Sequence, residues 1–179
     1  RTGAGLNELR AAIAHVAKRA RGRSDDGIAR LPIDRAFSVK GFGTVVTGTQ
    51  VSGRIRADSD LELHPAGRRL KIRGLQVHGI RQPLSHAGQR VAVNLSGVEV
   101  GELRRGDVLA DPGGLGSTQR FDGLLTLLPS ARALKHGARV RMHQGTAEVM
   151  ARVALGAAAG LEEATERMFL LSLDPGTQA

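Results

Sequence analysis

Apolar residues first recur at helical spacing and then switch to strand spacing. Leu6, Leu9, Ile13 and Val16 stand three and four residues apart, which predicts an amphipathic helix. The helix runs into the basic, glycine-containing stretch "KRARGRSDDG", read as a linker. From Leu31 onward the pattern changes to short alternating or β-branched runs separated by turns: "RAFSV", "GTVVTGT", "LELHP", "RRLKIRGLQVHG", "QRVAVNLSG" and "GDVLADPGG". Many short strands at this spacing predict a barrel or sandwich. The stretch "DPGGLGST", residues 111–118, marks a second boundary by its Pro and Gly content. Strand-like runs resume in "RFDGLLTLL", "ARVRMHQGTAEVMARVAL" and "RMFLLSL", interrupted near "GAAAG". The expected organisation is a helix and linker over residues 1–27, a β-domain over 28–116 and part of a second β-domain over 117–179.

The segment "VKGFGTVVTGTQVSGRI", residues 39–55, carries glycines in the density of a phosphate-binding loop. It lacks the G-x-x-x-x-G-K-[ST] order that would place a lysine and a hydroxyl at a helix mouth. Thr44-Val45-Val46-Thr47 is instead a β-branched run suited to a pleated strand. The glycines are therefore expected to shape strand ends and turns.

Composition narrows the chemistry. With no cysteine in 179 residues, the chain has no disulfide, thiolate metal site or cysteine nucleophile, and a reducing cytoplasm is the default expectation. No apolar run approaches the roughly 18 residues of a membrane span, so no membrane partner is expected. The first residue is Arg rather than Met, and the sequence reads as a fragment. A net charge of +9 and an isoelectric point near 11.4 favour a polyanionic partner. The basic residues cluster at Lys18 to Arg23, Arg68 to Arg73, Arg104 with Arg105, and Arg139 with Arg141. Aromatic residues make up only 2%, with no Trp or Tyr. A nucleic acid would then be held through phosphate and shape rather than by stacked aromatic platforms. No Ser-His-Asp order, carboxylate pair or nucleophile elbow is present, and no catalytic residue is assigned. His78 and His143 lack companions at ligand spacing, so no metal site is assigned either.

The stretch "LPIDRAFSVKGFGTVVTG" at 31–48, followed by "AGQRVAVNLSGV" at 87–98 and "ELRRGDVLADPG" at 102–113, resembles the second domain of translational GTPases of the elongation factor Tu type. "RTGAGLNELRAAI" resembles the end of a GTPase domain, just past its guanine-binding residues. Within this superfamily, "VHG" and "HGARVRMHQGTAEV" at 136–149 resemble the selenocysteine-specific elongation factors. The fold so implied is mainly β: two consecutive translation-factor barrels, the second incomplete, preceded by a remnant helix.

The resemblance also implies a function, part of a factor that holds selenocysteyl-tRNA and delivers it to the ribosome in a GTP-dependent manner. GTP and Mg2+ would be bound in the full-length parent and not by this fragment, and whether the fragment is itself an enzyme is left open because it holds no catalytic site. The selenoprotein mRNA hairpin would be met by a domain absent here. Asp34 and Arg90 match positions of the selenocysteine pocket. A guanidinium there would favour an ionised selenol over a neutral seryl group, while the same pair would equally tie barrel strands together. His78 is a further pocket candidate, expected on the strand face of Gln76. Val39, Phe42 and Val45 align with the surface that receives the terminal adenosine, Gln76 with a polar group beside its ribose, and Lys40 with the reach of the terminal phosphates. Two alternatives stay open: the GTPase subunit of sulfate adenylyltransferase, and a basic ribosome-binding barrel with no ligand pocket.

Overall fold

The computed structural model describes residues 2–20, 22–155 and 166–173, the last stretch by its backbone pairing. Helix α1 (Leu6–Arg19) follows Gly5, which is left-handed at φ 83°. Glu8 in its first turn and Lys18 and Arg19 in its last suit the helix dipole. Its apolar stripe, Leu6, Leu9, Ile13 and Val16, is open to solvent. The strands are β1 (Arg30–Val39), β2 (Gly43–Thr49), β3 (Arg54–Arg56), β4 (Asp60–His64), β5 (Arg68–Val77), β6 (Ile80–Gln82), β7 (Leu84–His86), β8 (Arg90–Ser96), β9 (Val108–Ala110), β10 (Arg120–Thr126), β11 (Arg139–Gln144), β12 (Ala147–Leu155) and β13 (Glu166–Leu173).

Six strands close on themselves in the order β4-β9-β1-β2-β8-β5, with β4 pairing back onto β5. Closure removes free edges and encloses one apolar interior. Leu31, Ile33, Val46, Ile72, Leu75, Val91, Val93 and Leu109 are all fully buried there. Strand alternation sends the intervening residues outward. β6 extends β5 as a hairpin, and β3 pairs with β7 as a separate ribbon. The expected mainly β architecture with a closed barrel is thus present.

Two irregularities break the alternation. Ile33 pairs with Gly48 but Arg35 with Thr47, leaving Asp34 as the extra residue of a bulge. Arg73 is likewise the extra residue between Ile72 and Gly74. Bulges re-aim side chains, and both extra residues turn outward. The backbone crowds inward at the first bulge, where a Cβ on Gly48 would stand 2.1 Å from the Pro32 carbonyl oxygen. Glycine is required at that position by space rather than by dihedral angle.

The barrel's entry and exit are joined. Ala29 N–H donates to Asp111 Oδ2 at 2.7 Å, and Asp111 N–H donates back to the Ala29 carbonyl at 3.3 Å. The preceding linker is also docked: Asp25 accepts from Ala87 N–H at 2.9 Å and lies 2.6 Å from His86 Nδ1 and 3.3 Å from Arg54 Nε.

The second sheet is antiparallel in the order β10-β13-β12-β11 and is open among the described residues. Ala151 and Val153 are buried there against Phe121, Leu125, Leu134, Val140, Met142 and Leu155. The Ala/Gly-rich interruption expected near 156–160 lies outside the described residues. The β11–β12 turn rests on the barrel, where Thr146 Oγ1 donates to the Ile33 carbonyl at 2.6 Å.

Candidate functional site

The outer face of β1, β2, β8 and β5 is organised in register rows. One row runs Phe37, Val45, Asn94, Gly74; the next runs Arg35, Thr47, Ala92, Gln76; Thr49 and Arg90 face each other beyond them. The first two rows border a groove of about 240 Å³ lined by Phe37, Val39, Phe42, Val45, Arg73, Gly74, Leu75, Gln76, Arg81, Ala92 and Asn94. Gly74 contributes no side chain, and a Cβ added there would meet nothing within 4 Å. That gap opens the groove. Its floor is apolar, its polar groups are the Gln76 and Asn94 amides, and Arg73 and Arg81 bring positive charge.

Phe42 stands on the β1–β2 turn between Gly41 and Gly43, both left-handed, and is 60% exposed. Asn94 Nδ2 donates to its carbonyl at 2.9 Å and so holds the turn over the groove. Asn94 Oδ1 is enclosed without a hydrogen-bond partner.

Beside the groove, the Asp34 bulge meets β8. Arg90 Nη1 donates to Asp34 Oδ2, and Arg90 Nη2 donates to Asp34 Oδ1 at 3.1 Å and to Thr47 Oγ1 at 3.3 Å. Thr47 in turn donates to Asp34 Oδ1 at 2.8 Å. The Arg90 hydrogen bond holds the Asp34 carboxyl below the usual aspartate range, against the opposing effect of burial, with Thr47 and Arg35 helping. Asp34 correspondingly raises Arg90. The pair is ionised and braces three strands. A guanidinium carries five N–H donors, and three contacts leave some of them available to an incoming anion.

Of the residues singled out from sequence, Val39, Phe42, Val45 and Gln76 line one groove, and Asp34 and Arg90 form one hydrogen-bonded cluster at its end. Lys40 is exposed on the same turn as Phe42 and does not line the groove. His78 requires a correction. It does not share the strand face of Gln76. With Gly79 it forms the two-residue β5–β6 turn, at φ 53° and 77°, as a tight hairpin with two left-handed positions demands. It is exposed, lies outside the groove lining and makes no hydrogen bond to Asp34 or Arg90. His143 lies on β11 opposite Glu148, and no metal-ligating group of three or more side chains exists among the described residues.

Thr47, Asn94, Phe37, Arg73 and Arg81 were missed. The alternation of "QRVAVNLSG" places Arg90, Ala92 and Asn94 on one face and would have flagged Asn94. Arg81 follows from the hairpin, since it pairs with Gln76.

Residues 43–110 match the family model described as elongation factor Tu domain 2. The chain is 46% identical over 153 residues to the selenocysteine-specific elongation factor of Desulfomicrobium baculatum, covering 85% of this chain and 24% of that protein. It is 34% identical over 128 residues to the factor of the same name from Escherichia coli, covering 70% and 20%. The chain therefore spans about a quarter or less of these relatives. In fold it is similar to a bacterial selenocysteine-specific elongation factor EF-Sec, with a TM-score of 0.83 at 24% identity over 97% of this chain and 28% of that one. The apo translation elongation factor SelB from Methanococcus maripaludis gives a TM-score of 0.81 at 23% identity, over 95% and 41%. Its barrel thus matches elongation factor Tu domain 2, and over most of its length the chain is similar to proteins named selenocysteine-specific elongation factor.

Proposed function

We propose that this chain is the part of a selenocysteine-specific elongation factor that holds the aminoacylated 3′ end of selenocysteyl-tRNA. The observation that carries the reading is adjacency: an apolar groove with two amides and two arginines ends at an arginine that retains free donors. The groove takes the terminal adenosine, its floor of Val39, Val45 and Ala92 under the base and Phe42 at the rim. Gln76 serves the ribose hydroxyls, a role suited to telling RNA from DNA. Arg73 and Arg81 meet phosphate, and Lys40 reaches the backbone from the turn. Arg90, kept in place and ionised by Asp34 and Thr47, donates to the selenolate. A neutral seryl hydroxyl gains less from the same guanidinium. His78 stands at the turn beyond the pocket and has no contact role. The cytoplasmic partners are the charged tRNA and the ribosome, with the selenoprotein mRNA hairpin held by another part of the parent. GTP and Mg2+ act in the parent's GTPase domain, and no residue of this chain is assigned to either.

The test is a titration of selenocysteyl- and seryl-tRNA against the GTP-bound full-length protein, as wild type, Arg90→Ala and Arg90→Lys. Arg90→Ala should weaken selenocysteyl-tRNA by about 1.5–3 kcal/mol, the range for a hydrogen bond to a charged group, with little effect on the seryl form. Arg90→Lys should recover little, because a point ammonium cannot keep the forked contact with Asp34. Equal weakening of both tRNAs would reduce Arg90 to a brace between strands and overturn the selectivity.

A further inference from the structure

We infer that Thr146, on the second sheet, is a positioning residue for Asp34 and thereby for Arg90, so that the second sheet sets the geometry of the aminoacyl pocket. This rests on the reading of Asp34 and Arg90 as that pocket.

Asp34 is the extra residue of a bulge and has no partner in the β1–β2 register. The ladder alone therefore does not fix its direction. What fixes it is the preceding peptide unit. The Ile33 carbonyl receives two hydrogen bonds, from Gly106 N–H at 3.0 Å and from Thr146 Oγ1 at 2.6 Å. The Ile33–Asp34 peptide is planar, so clamping its oxygen also orients the Asp34 nitrogen and the bond from which the side chain departs. One donor is internal to the barrel, and the other arrives from the β11–β12 turn.

The surroundings hold that turn close. A Cβ on Gly145 would stand 3.3 Å from the Pro32 ring, and one on Gly106 would stand 2.8 Å from the Ala147 Cα. Gly145 and Thr146 thus act together: the first allows close approach and the second supplies the hydroxyl. This gives the "HQGTAEV" stretch a role in the pocket although none of its residues lines the groove.

The experiment uses the full-length protein as wild type, Thr146→Val and Thr146→Ser. The Asp34 carboxyl is titrated by carbon NMR without tRNA, and the affinity ratio of selenocysteyl- to seryl-tRNA is measured in parallel. In Thr146→Val the Asp34 midpoint should rise toward the ordinary aspartate value, as its contacts with Arg90 and Thr47 loosen. The affinity ratio should fall by roughly fivefold, the equivalent of one net hydrogen bond. Thr146→Ser should restore both. An unchanged Asp34 midpoint in Thr146→Val overturns the positioning role whatever the tRNA affinities do, and so does a serine variant that fails to restore it. If the midpoint moves as expected while Arg90→Ala weakens both tRNAs equally, positioning stands and the pocket reading falls. Should Thr146→Val fail to fold, Thr146→Ala removes the same hydroxyl with less bulk and carries the same expectations.

Discussion

The closed barrel and the second sheet are written in the same alternating code, yet among the described side chains they bury their apolar faces to different degrees. Seventeen side chains form the barrel's buried cluster, whereas Ala151 and Val153 are the buried members of the second cluster among the described side chains. Closure accounts for the barrel's share. In a closed sheet every inward residue meets others from across the interior, while an open sheet covers its inward face only as far as neighbouring segments reach. The seams differ too. Where β4 closes onto β5, Asp60 faces Lys71 and Glu62 faces Arg69; on the second sheet Arg139 faces Arg152. Opposite charges support a directly paired position, and like charges oppose it.

The largest expected effect is a cavity. Leu75→Ala, at a fully buried barrel position, should cost about 2–5 kcal/mol. Leu125→Ala, at a partly buried position of the second cluster, should cost less than half as much. Denaturant unfolding with hydrogen exchange resolved by region checks this, and equal losses would break the contrast. Next comes crowding. Gly48→Ala forces a Cβ against the Pro32 carbonyl oxygen and should cost at least the roughly 1–3 kcal/mol typical of overpacking. Gly137→Ala, left-handed but with open space around it, should cost only the roughly 1–2 kcal/mol of an αL side chain.

A third test concerns acid. Asp34 is lowered in the folded state, chiefly by Arg90. Its contribution is therefore present above the ordinary aspartate value and lost as pH falls through the lowered one. Asp34→Asn should remove about 1 kcal/mol or less at neutral pH, as a largely surface pair allows, and should flatten the acid limb of barrel stability measured by thermal unfolding from neutral to low pH. The smallest effect is at the second seam, where Arg152→Glu should stabilise the second sheet by about 0.2–1 kcal/mol. It loses the 3.3 Å contact of Arg152 with the Gly137 carbonyl, which partly offsets the gain. A loss of stability would show that the facing arginines are not in conflict.

Much of this was legible in the residues themselves. Alternation located the barrel strands, and β-branching in "GTVVTGT" separated a strand from a nucleotide loop. The candidate groove residues came from resemblance, and the structure puts four of them around one cavity. Legibility failed where an irregularity decided direction. "RGLQVHG" reads as continuous strand, but one residue of bulge at Arg73 and two of turn at His78 redirect it, and neither leaves a mark in hydrophobic period. The bulge at Asp34 is equally silent, because the close approach of Pro32 to Gly48 beside it is made across the sheet. The Thr146 hydroxyl reaches Ile33 across 113 positions of chain, a distance at which local pattern carries no information. The linker offers a milder case: "RSDDG" looked like spacer, and Asp25 instead docks on Arg54, His86 and Ala87.

The clamp between Ala29 and Asp111 gives the barrel an engineering and evolutionary property. A module whose two ends meet can be spliced between unrelated neighbours without stretching either, and its own strand order can be rewired by joining those ends and cutting a surface turn elsewhere. The Lys40–Phe42 turn would be a poor place to cut, since it rims the groove. The turn at Asp58, which is exposed and outside the groove lining, would serve. A permuted barrel of this kind would keep its interior while moving both connections to a new point, which separates what the fold does for itself from what it does as a joint between neighbours.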